Sequence, residues 1–287
     1  MAVKAKVKAL FVAGRFFVLP WMAFNTLLPI YLAGFDLYLW LLAFAICSCV
    51  LVAGHFINNW RDFVRGVDKV EGGSVGKSYT RACEILPKGF LSVQTMYRSA
   101  LVLLGFAFIL MLFAPIRFEV ALFFLIGVVA SLTYTDIAKP HGYGEIYLFA
   151  THGVSVTLFS YALVKPLTLE AVGTAVLLGL WAALALTMDQ YPDAKREGAL
   201  GLVSLVFKAN LKPSQYVWFA VSGVYTIQMG FTVMGILPAA MLLTVVLLPF
   251  IHLTTLILDT NFPKGMLMLL FSMFFFPLVA TIGLILI

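Results

Sequence analysis

Charge is what this sequence has least of. Only 11% of its 287 residues are Asp, Glu, Lys or Arg, less than half of the roughly 25% found in soluble domains. With 62% hydrophobic residues and a mean hydropathy of +1.03, the composition excludes a water-soluble globule and indicates a polytopic membrane protein. Strict apolar–polar alternation is also missing. The apolar runs are about 20 residues long, the length of a membrane-crossing helix, so the fold class is all-α and an outer-membrane barrel is excluded. Cysteine is scarce: Cys47, Cys49 and Cys83 follow no disulfide or metal-ligand spacing and read as packing residues. A cleavable signal pattern is absent, and Lys4, Lys6 and Lys8 before the run from Ala9 read as the flank of a retained first span. The net charge of +6 reflects basic loops on one membrane face and not an affinity for nucleic acid.

Nine spans are expected, at about 9–34, 37–58, 91–114, 117–134, 144–163, 168–188, 214–235, 237–258 and 263–287, packed as one transmembrane domain over residues 1–287. Two connections are long, about 59–90 and 189–213. Alternating the spans from the N-terminus puts fifteen basic residues on one side: Lys4, Lys6, Lys8, Arg61, Arg65, Lys69, Lys77, Arg81, Lys88, Lys139, Lys195, Arg196, Lys208, Lys212 and Lys264. Only Arg117 and Lys165 fall on the other side. By the positive-inside rule the N-terminus and both long loops, which form two caps, are cytoplasmic, and the C-terminus lies outside the cell membrane.

Both long loops follow an acidic cluster. The first runs Asn58-Asn59-Trp60-Arg61-Asp62-Phe63-Val64-Arg65-Gly66-Val67-Asp68, and the second runs Asp189-Gln190-Tyr191-Pro192-Asp193-Ala194-Lys195-Arg196. Adding 131 carries Asn58 to Asp189, Asp62 to Asp193, Lys77 to Lys208 and Arg81 to Lys212. Four spans separate the copies, so both point the same way and both acidic clusters fall at one membrane face. Asn58 and Asp62 are four apart and share a helix face, as do Asp189 and Asp193. Carboxylates near helix C-termini oppose the macrodipole, and bound cations remove that conflict. Mg²⁺ takes one or two carboxylates and completes its shell with water and substrate phosphate. Asn58, Asp62, Asp68, Asp189 and Asp193 therefore supply oxygen for two such ions, and Lys77, Arg81, Lys195, Lys208 and Lys212 are candidate contacts for a polyphosphate held between them. Solvated loop charge is the plain alternative for isolated residues, and the repeat argues against it.

Arg15 lies inside the first expected span, where an ionisable group is a functional candidate, here for diphosphate, unless it snorkels to the interface. A third cluster joins spans four and five: Ser131-Leu132-Thr133-Tyr134-Thr135, then Pro140-His141-Gly142-Tyr143-Gly144-Glu145. Tyr134 and Thr135 offer hydroxyls at the membrane face, and Glu145 suits a helix N-terminus. His55 and His152 read either as interior hydrogen-bonded histidines or as groups that bind an acceptor or act as a base. The 26 Phe and 11 Tyr include enough rings to line a groove for an isoprenoid tail and to shelter a carbocation.

These residues resemble the UbiA superfamily of intramembrane prenyltransferases over nearly the whole chain. Asn58 and Asp62 match the family's first aspartate motif, with Asn59 in place of its usual second-position Asp and Asp68 following Gly66. That variant, with Tyr134-Thr135 and Gly142-Tyr143-Gly144-Glu145, resembles the 1,4-dihydroxy-2-naphthoate branch, which makes menaquinone precursors. Asp189, Asp193 and Lys195 match the second motif, with Gly198 one residue late. The resemblance implies a nine-helix bundle with two cytoplasmic caps, two Mg²⁺ ions, a prenyl diphosphate and a lipophilic acceptor. The catalytic set it implies is Asp62, Asp193, Asn58, Asp189 and Tyr134. Two rivals stand beside it: geranylgeranyl transfer to a glycerol-phosphate lipid precursor, as in digeranylgeranylglyceryl phosphate synthases, and a divalent-cation or phosphate transporter.

The charge asymmetry has a direct test. In a background without native cysteines, a cysteine near Gly73 is expected to be shielded from an impermeant thiol reagent in intact cells, and one after Ile287 to be labelled. The reverse pattern overturns the orientation.

Overall fold

A computed structural model describes residues 3–66, 82–190 and 211–286. Among them every regular element is helical and no strand occurs. Helix α1, Val3–Ala13, is followed by a 3-10 turn, Phe16–Val18, and by α2, Leu19–Gly34. The long α3, Leu37–Val64, is capped by the Asp36 carboxylate, which accepts from the Leu39 N–H at 2.9 Å. Helix α4 is Val93–Met111, and α5 is Phe118–Thr133, prolonged by a π-helical turn, Tyr134–Ala138. Then come α6, Gly144–Leu148, a second π-helical segment, Phe149–Ser155, and α7, Val156–Val164. The last third holds α8, Leu169–Gln190, α9, Pro213–Val233, a 3-10 stretch, Ala239–Leu247, then α10, Leu248–Leu258, and α11, Phe262–Leu286.

Seven of the described helical stretches are long and apolar enough to cross a membrane: 16–34, 37–64, 93–111, 118–138, 144–164, 239–258 and 264–286. The sixth and seventh expected spans coincide with α8 and α9. The apolar part of α8 is shorter, Leu169–Ala185, and α9 carries Ser214, Gln215 and Gln228 among its apolar residues.

Four expected elements differ from the structure. The first expected span, 9–34, is two helices, because Arg15 takes a left-handed conformation with φ 50° and breaks the chain between Ala13 and Phe16. Asn59 stabilises the break by donating from Nδ2 to the Ala13 carbonyl at 2.8 Å. The first long loop begins later than residue 59, because α3 continues to Val64 and Arg61 and Asp62 find partners along its final turns. Helix α3 ends where Gly66, at φ 79°, supplies the left-handed residue that closes a helix. Likewise Asp189 lies in the last turn of α8. The eighth expected span changes from 3-10 to α just before Pro249, which has no N–H to donate and sits comfortably only in a first helical turn.

Packing gives two large cores and a small third cluster around Tyr161, where α2, α7 and α8 meet. Ile46, Phe56, Met96, Leu104, Phe124 and Leu163 belong to one, built from α3, α4, α5 and α7. Leu177, Trp181, Val221, Met241, Leu269 and Phe276 belong to the other, built from α8 to α11. Helix α2 serves both: Met22 and Ile30 are buried in the first core and Leu28 in the second. The repeat at an offset of 131 relates α3–α4 to α8–α9, so its two copies sit in different cores. Arg117 and Lys165, the two basic residues expected on the opposite side, have structural work. Arg117 donates to the carbonyls of Ala162 at 3.0 Å and Val164 at 3.3 Å, and Lys165 donates to that of Leu32 at 3.1 Å. Both cations thus close helix C-termini, where the dipole favours positive charge.

The tightest crossing joins the second π-helical segment to α8. A Cβ on Gly153 would lie 1.9 Å from the Gly179 Cα, so the two backbones touch there, as at small-residue crossings in membrane bundles. Gly153→Ala is expected to cost at least about 2–3 kcal/mol through overpacking and to lower the thermal unfolding midpoint in detergent. Gly105→Ala, where an added Cβ meets nothing within 4 Å, is expected to leave that midpoint unchanged or slightly raised.

Candidate active site at the rim of the bundle

Helical spacing places Asn58 and Asp62 on one face of α3, and the structure shows what that face meets. The π-helical turn Tyr134–Ala138 and the residues after it dock against the end of α3. Thr135 donates from its hydroxyl to Asn58 Oδ1 at 2.9 Å. Lys139 Nζ forms a 2.9 Å ion pair with Asp62 Oδ2, with both side chains only 9% exposed. On the outer side Arg61 and Arg65 both pair with Asp136, and Arg65 also donates to the Thr135 carbonyl at 2.7 Å. Three ion pairs therefore tie segments more than 70 residues apart in sequence.

The other carboxylate oxygen of Asp62, Oδ1, is buried and accepts no hydrogen bond among the described residues. A half-satisfied buried carboxylate is costly. Its free oxygen lies one helical turn from the Asn58 amide oxygen, an oxygen donor pair of the kind a hard divalent cation takes. Among the described residues no three His, Cys, Asp or Glu side chains gather to hold a metal by themselves. The Asn58–Asp62 pair thus fits part of a Mg²⁺ shell that needs further oxygens.

Of the other residues singled out in the sequence, Tyr134 is half-buried beside Thr135, with its ring centroid 5.8 Å from that of Tyr147. Glu145 is buried in the first turn of α6. Arg15 sits at the α1–α2 break and acts electrostatically on His55, one turn below Asn58 on α3. Lys212 is exposed at the N-terminus of α9, with its backbone N–H donated to Gln215 Oε1 at 3.0 Å. Asp189 has its backbone in the last turn of α8. Asp68, Lys77, Arg81, Asp193, Lys195 and Lys208 lie outside the described residues.

Two residues of the site escape sequence reasoning. Lys139 reads there as ordinary loop charge, and Asp136 receives no role. Both belong to the stretch between Tyr134 and Glu145, where Asp136 and Lys139 stand three residues apart on one turn, and that spacing is the signal the sequence offers.

With this geometry in view, comparison with known proteins gives the class. The model of the UbiA prenyltransferase family matches residues 16–279. The chain belongs to that family and is an intramembrane prenyltransferase. Membership removes the transporter reading. A solved structure from work on the biosynthesis of digeranylgeranylglyceryl phosphate synthase in membranes has the same fold, with a TM-score of 0.66 over 98% of this chain and 99% of that one, at 18% identity. No curated protein sequence matches the chain.

The Lys139–Asp62 pair yields a test independent of turnover. Removing one partner of a buried ion pair typically costs about 3–5 kcal/mol. Lys139→Met is therefore expected to lower the unfolding midpoint in detergent with EDTA, and millimolar Mg²⁺ to restore more of that loss than it adds to the wild-type protein. A Mg²⁺ response equal to that of the wild type argues against a cation site at Asp62.

Proposed function

We propose that the protein catalyses Mg²⁺-dependent transfer of a prenyl group from a polyprenyl diphosphate to an aromatic quinone precursor such as 1,4-dihydroxy-2-naphthoate. The observation that carries this reading is the buried, half-satisfied Asp62 carboxylate beside Asn58 at one end of an apolar bundle. Asn58, Asp62, Asp68, Asp189 and Asp193 would hold two Mg²⁺ ions, which when bound neutralise charge developing on the departing diphosphate. Lys77, Arg81, Lys195, Lys208, Lys212 and Arg15 are assigned to the diphosphate itself. The allylic C1–O bond breaks with its electron pair leaving on diphosphate, and the acceptor forms its new bond to C1 and loses a proton. Tyr134, half-buried beside Thr135, completes the catalytic set. The surrounding helices exclude the water that would quench the cation, and the tail extends among them. The charge asymmetry supports a cytoplasmic site.

The motif variant and the Tyr134-Thr135 stretch favour the aromatic acceptor. A second reading, transfer to the hydroxyl of a glycerol-phosphate lipid precursor, draws on the solved structure just described, whose subject is digeranylgeranylglyceryl phosphate synthase.

Purified protein with Mg²⁺ and radiolabelled geranylgeranyl diphosphate, offered dihydroxynaphthoate or geranylgeranylglyceryl phosphate in parallel, separates the two. The first acceptor is expected to be prenylated, and labelling of the second alone reverses the assignment. Asp62→Ala or Asp193→Ala is expected to cut turnover by at least about a hundredfold, the scale of losing one strong electrostatic stabiliser. Near-normal turnover of either variant at saturating Mg²⁺ rules out the two-metal arrangement.

A further inference from the structure

A groove of about 450 Å³ runs between α1 and α4 and reaches Phe56 on α3, a volume within the range of small-molecule sites. It lies apart from the prenyl-transfer site. At 3.6 residues per turn, Phe56 is turned about 120–160° away from Asn58 and Asp62 on α3. The two ends of the groove differ. Thr95, Arg98, Ser99 and Val102 all line it, and their spacing of i, i+3, i+4 and i+7 makes them one stripe along α4. The polar three stand at the rim of the bundle, because the Tyr97 and Trp60 rings lie 4.7 Å apart and so bring Arg98 level with the last turns of α3. Val102 and Leu103 follow one turn deeper, and Leu10, Phe11 and Phe16 form the facing wall.

The polar end is left without internal partners. Arg98 is exposed and makes no ion pair or hydrogen bond among the described residues. An arginine within a membrane-crossing stretch calls for a partner. Ser99 is half-buried. Elsewhere in the bundle Ser131, Thr133, Ser160 and Ser272 each donate to the carbonyl four residues back, the local bond a helical hydroxyl makes when nothing else claims it. Ser99 makes no such bond among the described residues. No carboxylate lines the groove, and α1 adds the exposed Lys6 and Lys8 nearby. Helix α4 is also the least buried of the seven membrane-crossing stretches. A positive rim above an apolar body, on a helix that faces the bilayer, matches an amphiphile with an anionic head. A choline or ethanolamine head brings its own cation to this end and finds no acid there.

We propose that the groove binds one anionic phospholipid of the surrounding bilayer. The Arg98 guanidinium holds the phosphodiester oxygens with its fork of N–H donors, and the Ser99 hydroxyl donates to the same group. One acyl chain lies along Val102, Leu103, Leu10 and Phe11. Because α1 forms one wall, the lipid pins α1 to α4 beside the break at Arg15 that Asn59 holds from within. The assignment does not depend on which acceptor is used at the Asp62 site.

Native mass spectrometry of the purified protein in detergent tests this, with phosphatidylglycerol or phosphatidylcholine of the same palmitoyl and oleoyl chains titrated in. The wild type is expected to bind phosphatidylglycerol at least about fivefold more tightly, the scale of one basic residue's attraction to an anionic membrane surface. Arg98→Gln is expected to abolish that preference with its unfolding midpoint in lipid-free detergent unchanged, since the side chain is exposed. Lys264→Gln, exposed at the start of α11, is expected to keep the preference. Val102→Trp fills the apolar end, leaves every charge in place, and is expected to weaken phosphatidylglycerol binding by a similar factor. Equal binding of the two lipids by the wild type overturns the site. So does an equal loss in Arg98→Gln and Lys264→Gln, which marks a diffuse surface charge. Undiminished binding in Val102→Trp, or full displacement by millimolar inorganic phosphate, shows that only a phosphate is held and overturns the lipid assignment.

Discussion

The ion pair between Lys139 and Asp62 is the interaction on which the site depends. In an apolar bundle a carboxylate is tolerated only where a partner meets it, and both of these side chains are nearly withdrawn from solvent. Meeting that condition fixes the distance between the end of α3 and the turn after α5. With it come the Thr135–Asn58 hydrogen bond and the salt bridges of Arg61 and Arg65 to Asp136. The clasp satisfies one carboxylate oxygen and leaves the other without a partner among the described residues. An ammonium group thus holds the site in shape while an oxygen remains for a second cation. Strong buried pairing contributes little net stability, but it sets geometry.

What sequence reasoning reads well follows from period and composition. Long apolar runs have few alternatives in a membrane, so the helical class and most spans are visible. The four-residue spacing of Asn58 and Asp62 puts them on one face whatever the rest of the chain does. Less visible is anything decided by tertiary contact. Asn59 reads as an imperfect motif residue, yet it holds the carbonyl of Ala13 at the break before α2. Nothing local to Arg15 announces a left-handed residue, since that conformation survives only because the surroundings enforce it. Lys139 is indistinguishable in sequence from any positive-inside lysine until its partner, 77 positions away, is brought beside it. The two π-helical segments were also hidden. They re-aim Thr135 and His152 relative to the helices on either side, and such bulges cluster at functional sites.

The arrangement of charge extends this logic to the whole bundle. The two basic residues that depart from the dominant side close helix C-termini, so they are accounted for by backbone carbonyls. The basic residues of the rim are accounted for by carboxylates where the structure describes both partners, as with Arg61, Arg65, Lys88 and Lys139.

Helix α2 stands apart from the duplicated pairs. With Met22 and Ile30 in one core and Leu28 in the other, neither half of the bundle owns it. Stacked repeats with separate interiors tend to open as independent units. Here the halves share a strut, and detaching it strips apolar contacts from both at once. The duplicated architecture therefore behaves as one cooperative body: a disturbance in either half, whether a cavity, a ligand or a lipid wedged between helices, is felt in the other through this shared helix and through the close crossing of Gly153 and Gly179.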